Sequence, residues 1–333
     1  MRSIPRTQLI VRLRGKDNQA LQNVELRWKY SDGSSSKQVY VSKSDGSISL
    51  NSSWDRLPAG PLVQALIRAP GEMQNHLVTA PLKPRQKDLT LKVIALQGKK
   101  IKSLDLCLVI DCTGSMSDEL RYLQTEIGAI VSATKKRFAN LVIRLSLVVY
   151  RDQGDQYVSK RYDFQNDVTK FQELLGDQSA DGGGDYPEAM DQALNDAASL
   201  SWTREQTARV CFLVADAPPH LSREGRTEFA IARLRKEGVV IYPLAASGVQ
   251  SQAELVLRQA AFVTGGQYLF LTDDSGVGNK HAEPHIPFYD VEKLSDLMTR
   301  MILSELLGEK VPAKEADIIR SVRSSEIKVK VQP

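Results

Sequence analysis

The sequence predicts an α/β fold: a doubly wound, mostly parallel sheet covered by helices, preceded by an all-β sandwich. Three observations carry this. Up to about residue 98 apolar residues recur with period two in short runs, and from residue 104 solid apolar runs alternate with amphipathic helical stretches. The charge also changes sign between the two parts. The boundaries that follow are a β domain over 1–98, a linker over 99–103, an α/β domain over 104–308 and a tail over 309–333.

In the first part TQLIVRLRG, NVELRWKYS, KQVYVSK, SISLN, LVQALIRAP, HLVTAPL and LTLKVIAL are alternating or β-rich, and SDGS, KSDGS, LPAGP and LKPRQ punctuate them as turns. Strands at that spacing read as a β-sandwich. The phrase ALQNVELRWKY…SKSDGSISL resembles small immunoglobulin-like or carboxypeptidase-regulatory-like modules, which serve as spacers or binding platforms. In the second part LDLCLVID is a buried strand, and SDELRYLQTEIGAIVSATKKRF sets Leu120, Leu123, Ile127, Ile130 and Val131 on one helical face. There follow the strand VIRLSLVVYRD, the edge strand KRYDF, the helix VTKFQELL, a glycine-rich loop and the helix EAMDQALNDAASL. The strand ARVCFLVAD, the helix REGRTEFAIARLRKEG, the strand VVIYPLAA, the helix QAELVLRQAAFVTGG, the strand QYLFL and the helix VEKLSDLMTRMILSELLG complete the order. Continuous apolar strands between helices mean a parallel sheet covered on both faces. The terminal EIKVKVQP alternates again and is expected either to add a strand back to the sandwich or to form a disordered end.

Residues 1–103 carry 18 Lys/Arg against 7 Asp/Glu, leaving 26 against 33 for the rest, so a basic part is joined to an acidic one. Such a basic part could grip nucleic acid or an anionic surface. Its charges alternate along strands instead of clustering, which favours a solvated face that blocks edge-to-edge pairing and makes nucleic acid the lesser reading. Cys107, Cys112 and Cys211 are too few and too apolar in context for a disulfide framework or zinc site, and as free thiols they point to a cytoplasmic address. No apolar run approaches the roughly 18 residues of a membrane span, and no signal peptide is expected.

The chemistry concentrates where strands end. In an open α/β sheet ligands bind beyond the carboxyl ends of the strands. Asp111 closes the first of these strands in DCTGS, Asp185 lies in DGGGDYPEAM, and Asp216 closes a later strand in VADAPPH. Asp111, Thr113 and Ser115 leave the strand on one tight loop turned by Gly114, so three oxygen-bearing side chains can converge. Hard oxygens with no neighbouring His or Cys pair suit Mg²⁺ or Mn²⁺. The competing explanation is capping: Ser115 and Ser117 for the first helix, Asp185 with Glu188 and Pro187 for a later one. For Asp185 the two stay open; for Asp111, Ser115 and Asp216 ligation is favoured, since capping explains neither Asp at a strand end.

Together D-x-T-G-S-M after an apolar strand, the Gly-Gly-Gly-Asp-x-Pro-Glu loop and Ala-Asp-Ala-Pro-Pro-His resemble a von Willebrand factor A domain over about residues 104–308. The resemblance implies a Rossmann-like fold with a metal-ion-dependent adhesion site. Thr113 and Ser115 would bind Mg²⁺ (or Mn²⁺) through their hydroxyls, and Asp111 and Asp216 directly or through water. A loop residue within 182–185, Asp185 or the Gly184 backbone, would complete the shell, leaving one position for an acidic side chain of a protein partner. This sequence has Thr113 where serine is commoner, and Gly184 and Asp185 where many members have threonine. If Asp185 ligates, three carboxylates face a divalent ion, which strengthens ion binding and discourages an incoming carboxylate.

Arg151, Asp152 and Asp155 in YRDQGD belong to the same rim, either shaping the partner surface or forming an ordinary polar loop. His281 and His285 read as a solvated pair and His220 as a turn residue. DCTGS also resembles the D-K-T-G-T of phosphoaspartyl transport ATPases, a minor alternative weakened by the missing lysine motif. Phosphate-loop, dinucleotide and nucleophile-elbow motifs are absent from the sequence, and a Ser115–His220–Asp triad lacks an oxyanion loop. The expected function is therefore a metal-dependent protein-interaction module and not an enzyme. The alternative makes the ion structural and gives binding to the basic sandwich.

Overall fold

The structure, a computed structural model, describes residues 8–30, 32–52, 54–58, 60–246, 248–272 and 288–323. His281, His285 and the terminal EIKVKVQP lie outside the described residues.

The N-terminal part holds β1 (Gln8–Arg14), β2 (Glu25–Lys29), β3 (Tyr40–Val41), β4 (Ser47–Asn51), β5 (Leu62–Arg68), β6 (His76–Pro81) and β7 (Asp88–Lys92). They form two sheets, ordered β4-β1-β7 and β3-β2-β5-β6. Period-two alternation turns Val11, Leu13, Leu26, Trp28, Ile67 and Leu91 from both sheets into one buried core.

The second part begins with β8 (Ser103–Asp111) and α1 (Ser117–Arg137), then β9 (Val142–Tyr150), β10 (Ser159–Gln165), α2 (Val168–Gly176), α3 (Met190–Ala197) and β11 (Thr207–Ala215). It continues with α4 (Glu224–Lys236), β12 (Val240–Ala245), α5 (Ser251–Thr264), β13 (Leu269–Phe270), β14 (Phe288–Glu292), α6 (Leu294–Leu307) and β15 (Ile318–Arg323). Six strands make one sheet in the order β10-β9-β8-β11-β12-β13. All neighbours are parallel except the edge strand β10, which runs antiparallel to β9. Successive residues of β8 face opposite layers. Leu106, Leu108 and Ile110 pack with α1, α2 and α6, whereas Cys107 and Val109 pack with α3, α4 and α5. This is an α/β fold with helices on both faces, and its strand order reverses between β8 and β11.

Two expectations need correction. Val291 and Glu292, expected to open the last helix, belong to β14, and the helix starts at Leu294. Glu188 and Ala189, expected in α3, precede it. Within the tail, Ile318–Arg323 pairs antiparallel with Phe288–Glu292.

The N-terminal sheets dock on the ends of α4 and α5. Arg235 makes two hydrogen bonds to Asp55, at 3.1 and 2.9 Å, and donates to the Ser49 carbonyl. Lys43 reaches the Gly265 carbonyl at 3.1 Å, and Ser44 donates to Glu305 at 2.8 Å. Because these helices return antiparallel to the strands, their C-terminal ends lie at the amino ends of the sheet. The nine residues of β8 separate that end from the other by about 27 Å.

Candidate functional site

Strands β8 and β11 deliver Asp111 and Asp216 side by side at the carboxyl end of the sheet, where the strand order reverses. Asp111 is fully buried, and its Oδ1 accepts from the Thr113 backbone N–H at 3.0 Å and the Thr113 hydroxyl at 2.8 Å. Its Oδ2 is buried with no hydrogen-bond donor. The Tyr150 hydroxyl stands near the carboxylate without meeting hydrogen-bond geometry. Ser115, exposed on a 3-10 turn of Gly114–Met116, faces Asp216 and draws its carboxyl down.

The capping explanation of these serines fails. The N-cap position of α1 is Met116, and no side chain caps it. Ser115 instead faces the acid across the loop.

The glycine-rich loop closes the site from the side. Gly114 N–H donates to the Gly182 carbonyl at 3.2 Å, and Asp181 N–H to the Cys112 carbonyl at 3.0 Å. Gly183, at φ +77°, passes so close that a Cβ there would lie 2.9 Å from Glu188 Oε1 and 3.0 Å from the Thr113 Cβ. Only glycine combines that conformation with that approach. Asp185 is exposed. It does not cap α3 either, whose N-cap is Ala189.

The residue of this loop that enters the acidic cluster is Glu188, which in the sequence alone reads as half of a capping box. It is buried, its N–H donates to the Pro218 carbonyl at 2.9 Å, and a parallel bridge ties it to Pro219. Its Oε2 has no partner. Tyr186 helps fix the same junction by donating to the Asp216 carbonyl at 3.0 Å. The signal available in the sequence was an acid one residue after Pro187, facing the DAPPH loop, with no need of it as a cap.

Of the YRDQGD residues, Asp152 is buried and within 2.6 Å of His220 Nε2, so His220 is a hydrogen-bond partner of Asp152 and not only a turn residue. Asp155 braces the glycine loop by accepting from the Gly183 N–H at 3.1 Å. Arg151 points away, to the Ser179 carbonyl at 2.8 Å and to Asp181.

Crowding of acids sets the electrostatics. Burial, then the neighbouring Asp216, pushes the Asp111 carboxyl up to about 7. Burial, then Asp111, Asp152, Asp155 and Asp216, pushes Glu188 up to about 9. Burial also raises Asp216, against the Ser115 hydrogen bond that lowers it. A buried carboxylate without a counter-charge is costly, and a cation removes that cost. Among the described residues no three His, Cys, Asp or Glu side chains form a ready cage. The donor set is instead mixed: buried carboxylate oxygens beside the hydroxyls of Thr113 and Ser115. Such hard oxygens fit Mg²⁺ or Mn²⁺ and not zinc.

The von Willebrand factor A domain model matches residues 105–273. Over 127 residues the chain is 30% identical to the putative ariadne-like RING finger protein R811 of Acanthamoeba polyphaga mimivirus, covering 38% of this chain and 12% of that protein. Over 142 residues it is 27% identical to the alpha-protein kinase vwkA of Dictyostelium discoideum, covering 42% and 22%. The chain therefore spans less than a quarter of either relative. Among solved structures, BatB from Bacteroides thetaiotaomicron aligns over 61% of this chain and 98% of its own, with a TM-score of 0.43 and 11% identity. An aerotolerance-related membrane protein from Bacteroides fragilis aligns over the same shares, with a TM-score of 0.41 and 15% identity. With the family model covering half of its length, from the first apolar strand through the motifs at Asp111 and Asp216, the chain belongs to the von Willebrand factor A domain family.

Proposed function

We propose that this protein is a metal-dependent protein-interaction module. In this reading Asp111, Thr113, Ser115 and Asp216 hold Mg²⁺ (or Mn²⁺), with the 182–185 loop closing the shell and Glu188 adding negative charge behind it. When bound, the ion offers an open position to an acidic side chain of a partner protein, on the side where Ser115 is exposed. Ligation by Asp185 remains part of the proposal, for the loop that carries it borders the site.

One observation carries this reading. Asp111 Oδ2 is buried without a donor, beside Asp216 and Glu188. The two curated relatives also bear names of unrelated activities while sharing only a minor stretch with this chain, which suits a recruiting module better than a catalyst. We accordingly assign no reaction to the site. The N-terminal sheets, read as an immunoglobulin-like sandwich, would act as a platform at the opposite end of the molecule.

Calorimetric titration with Mg²⁺ is the direct test. The expected outcome is saturable binding with a rise in melting temperature, both lost in Asp111→Ala. Absence of heat and of any thermal shift in the intact chain would sink the proposal. The alternative, a basic platform for nucleic acid, is weakened because Arg12 and Arg68 are already paired with Asp88 and Glu25. It would show as binding that ignores EDTA and falls steeply with salt.

A further inference from the structure

A cavity of about 430 Å³ lies between the N-terminal sheets and the amino end of the α/β sheet. Its basic wall is Arg27 and Arg68 from one side and Arg204, Arg209 and Lys236 from the other. Arg209 is unusual among them. It is 3% exposed, and it bonds only neutral acceptors, the Thr203 carbonyl at 2.8 Å and the Asn23 side-chain oxygen. Its Nε has no acceptor, and neither has Nδ2 of Asn23, itself 4% exposed. Two buried side chains that line one cavity thus each keep an unused donor. Burial draws the Arg209 guanidinium down to about 10 against the nearby carboxylates of Asp105 and Glu237, which pull the other way.

The rest of the lining shows what kind of group would satisfy those donors. Arg68 is paired with Glu25 and Arg204 with Glu237. Arg27, Arg209 and Lys236 form no ion pair among the described residues, whereas the uncommitted acids are Glu205 and, at the outer lip, Glu72 with its hydrogen bond to His76. Positive charge is in excess. Satisfying Nε, Nδ2 and two surface cations together needs an anion with more than two acceptor oxygens, which a single carboxylate lacks. Arginine forks match phosphate oxygens well. The volume exceeds what one phosphate fills and lies within the range of small-molecule pockets.

We propose that this interdomain cleft binds a phosphate group through Arg209, Asn23, Arg27 and Lys236, either free or carried on a small organic molecule. The site lies at the opposite end of the sheet from Asp111 and does not depend on the metal reading.

The test is isothermal titration of the full chain in EDTA, at ionic strength fixed with chloride, using inorganic phosphate in one series and ribose 5-phosphate in another. Saturable binding is expected in at least one. A tenfold tighter ester places the group on an organic molecule, and equal or weaker ester binding places it on the free ion. Arg27→Glu and Lys236→Glu change exposed side chains, so their melting temperatures in chloride should match the parent while phosphate affinity falls at least tenfold. Arg209→Met should abolish binding. No saturable heat with either probe, or unchanged affinity in both surface variants, overturns the proposal.

Discussion

Asp111 is a carboxylate placed where ionisation is unfavourable, and this has a measurable pH signature. Its folded value of about 7 exceeds the unfolded value of about 3.9, so between them the folded chain holds the extra proton. Stability of the metal-free protein should be full below that window and fall across it as pH rises through 7, by on the order of 4 kcal/mol from this residue. Urea midpoints in EDTA at pH 5 and pH 8 measure it. Asp111→Asn should make the slope shallower without removing it, because the raised Glu188 acts in the same direction, and a rise in stability toward pH 8 would contradict the account. Adding Mg²⁺ should flatten it too, since the ion binds the deprotonated form.

At the scale of elements, backbone approach matters more than side-chain identity. Gly183→Ala should cost on the order of 1–3 kcal/mol, because the left-handed φ is strained for alanine and the new Cβ presses on Glu188 and Thr113. Its Mg²⁺ response should weaken along with its melting temperature. Gly266 makes a harsher case, following the left-handed cap Gly265 of α5. A Cβ there would collide with the Ile241 carbonyl of β12, and backbone cannot yield as a side-chain tip does. Gly266→Ala is expected to lower the melting temperature further than Gly183→Ala, while Gly184→Ala, with open space around it, should leave it nearly unchanged. Thermal melts of the three variants rank them.

Across the whole molecule the two parts are held together by a buried ion pair. The Arg235 side chain is 8% exposed and that of Asp55 fully buried, and they meet 2.9 Å apart across the junction. Removing one member leaves an uncompensated charge, so Asp55→Ala should destabilise the docking by about 3–5 kcal/mol. Calorimetry should then resolve two transitions where a single one is expected of the parent. A single unshifted transition would mean that the contact contributes nothing to coupling. Among the described residues no helix is long and apolar enough to cross a membrane.

Much of this was legible in the residues alone. Alternation in QLIVRLR and ELRWK, solid apolar runs in LDLCLVID and RVCFLVA, and the helical face of Leu120, Leu123 and Ile127 determined which segments pair and which cover, because burial follows the period of the backbone. They also placed Asp111 and Asp216 at strand ends. What they could not decide was the company those acids keep. Glu188 reads locally as a helix cap, and only the clamp on Pro218 and Pro219 carries it inward to the acidic cluster. Arg209 reads as one more charge in a strand, and only docking of the N-terminal sheets encloses it with Asn23. Periodicity records which face a residue turns from water, whereas the charge environment of a site depends on segments far apart in sequence that meet only when the chain closes.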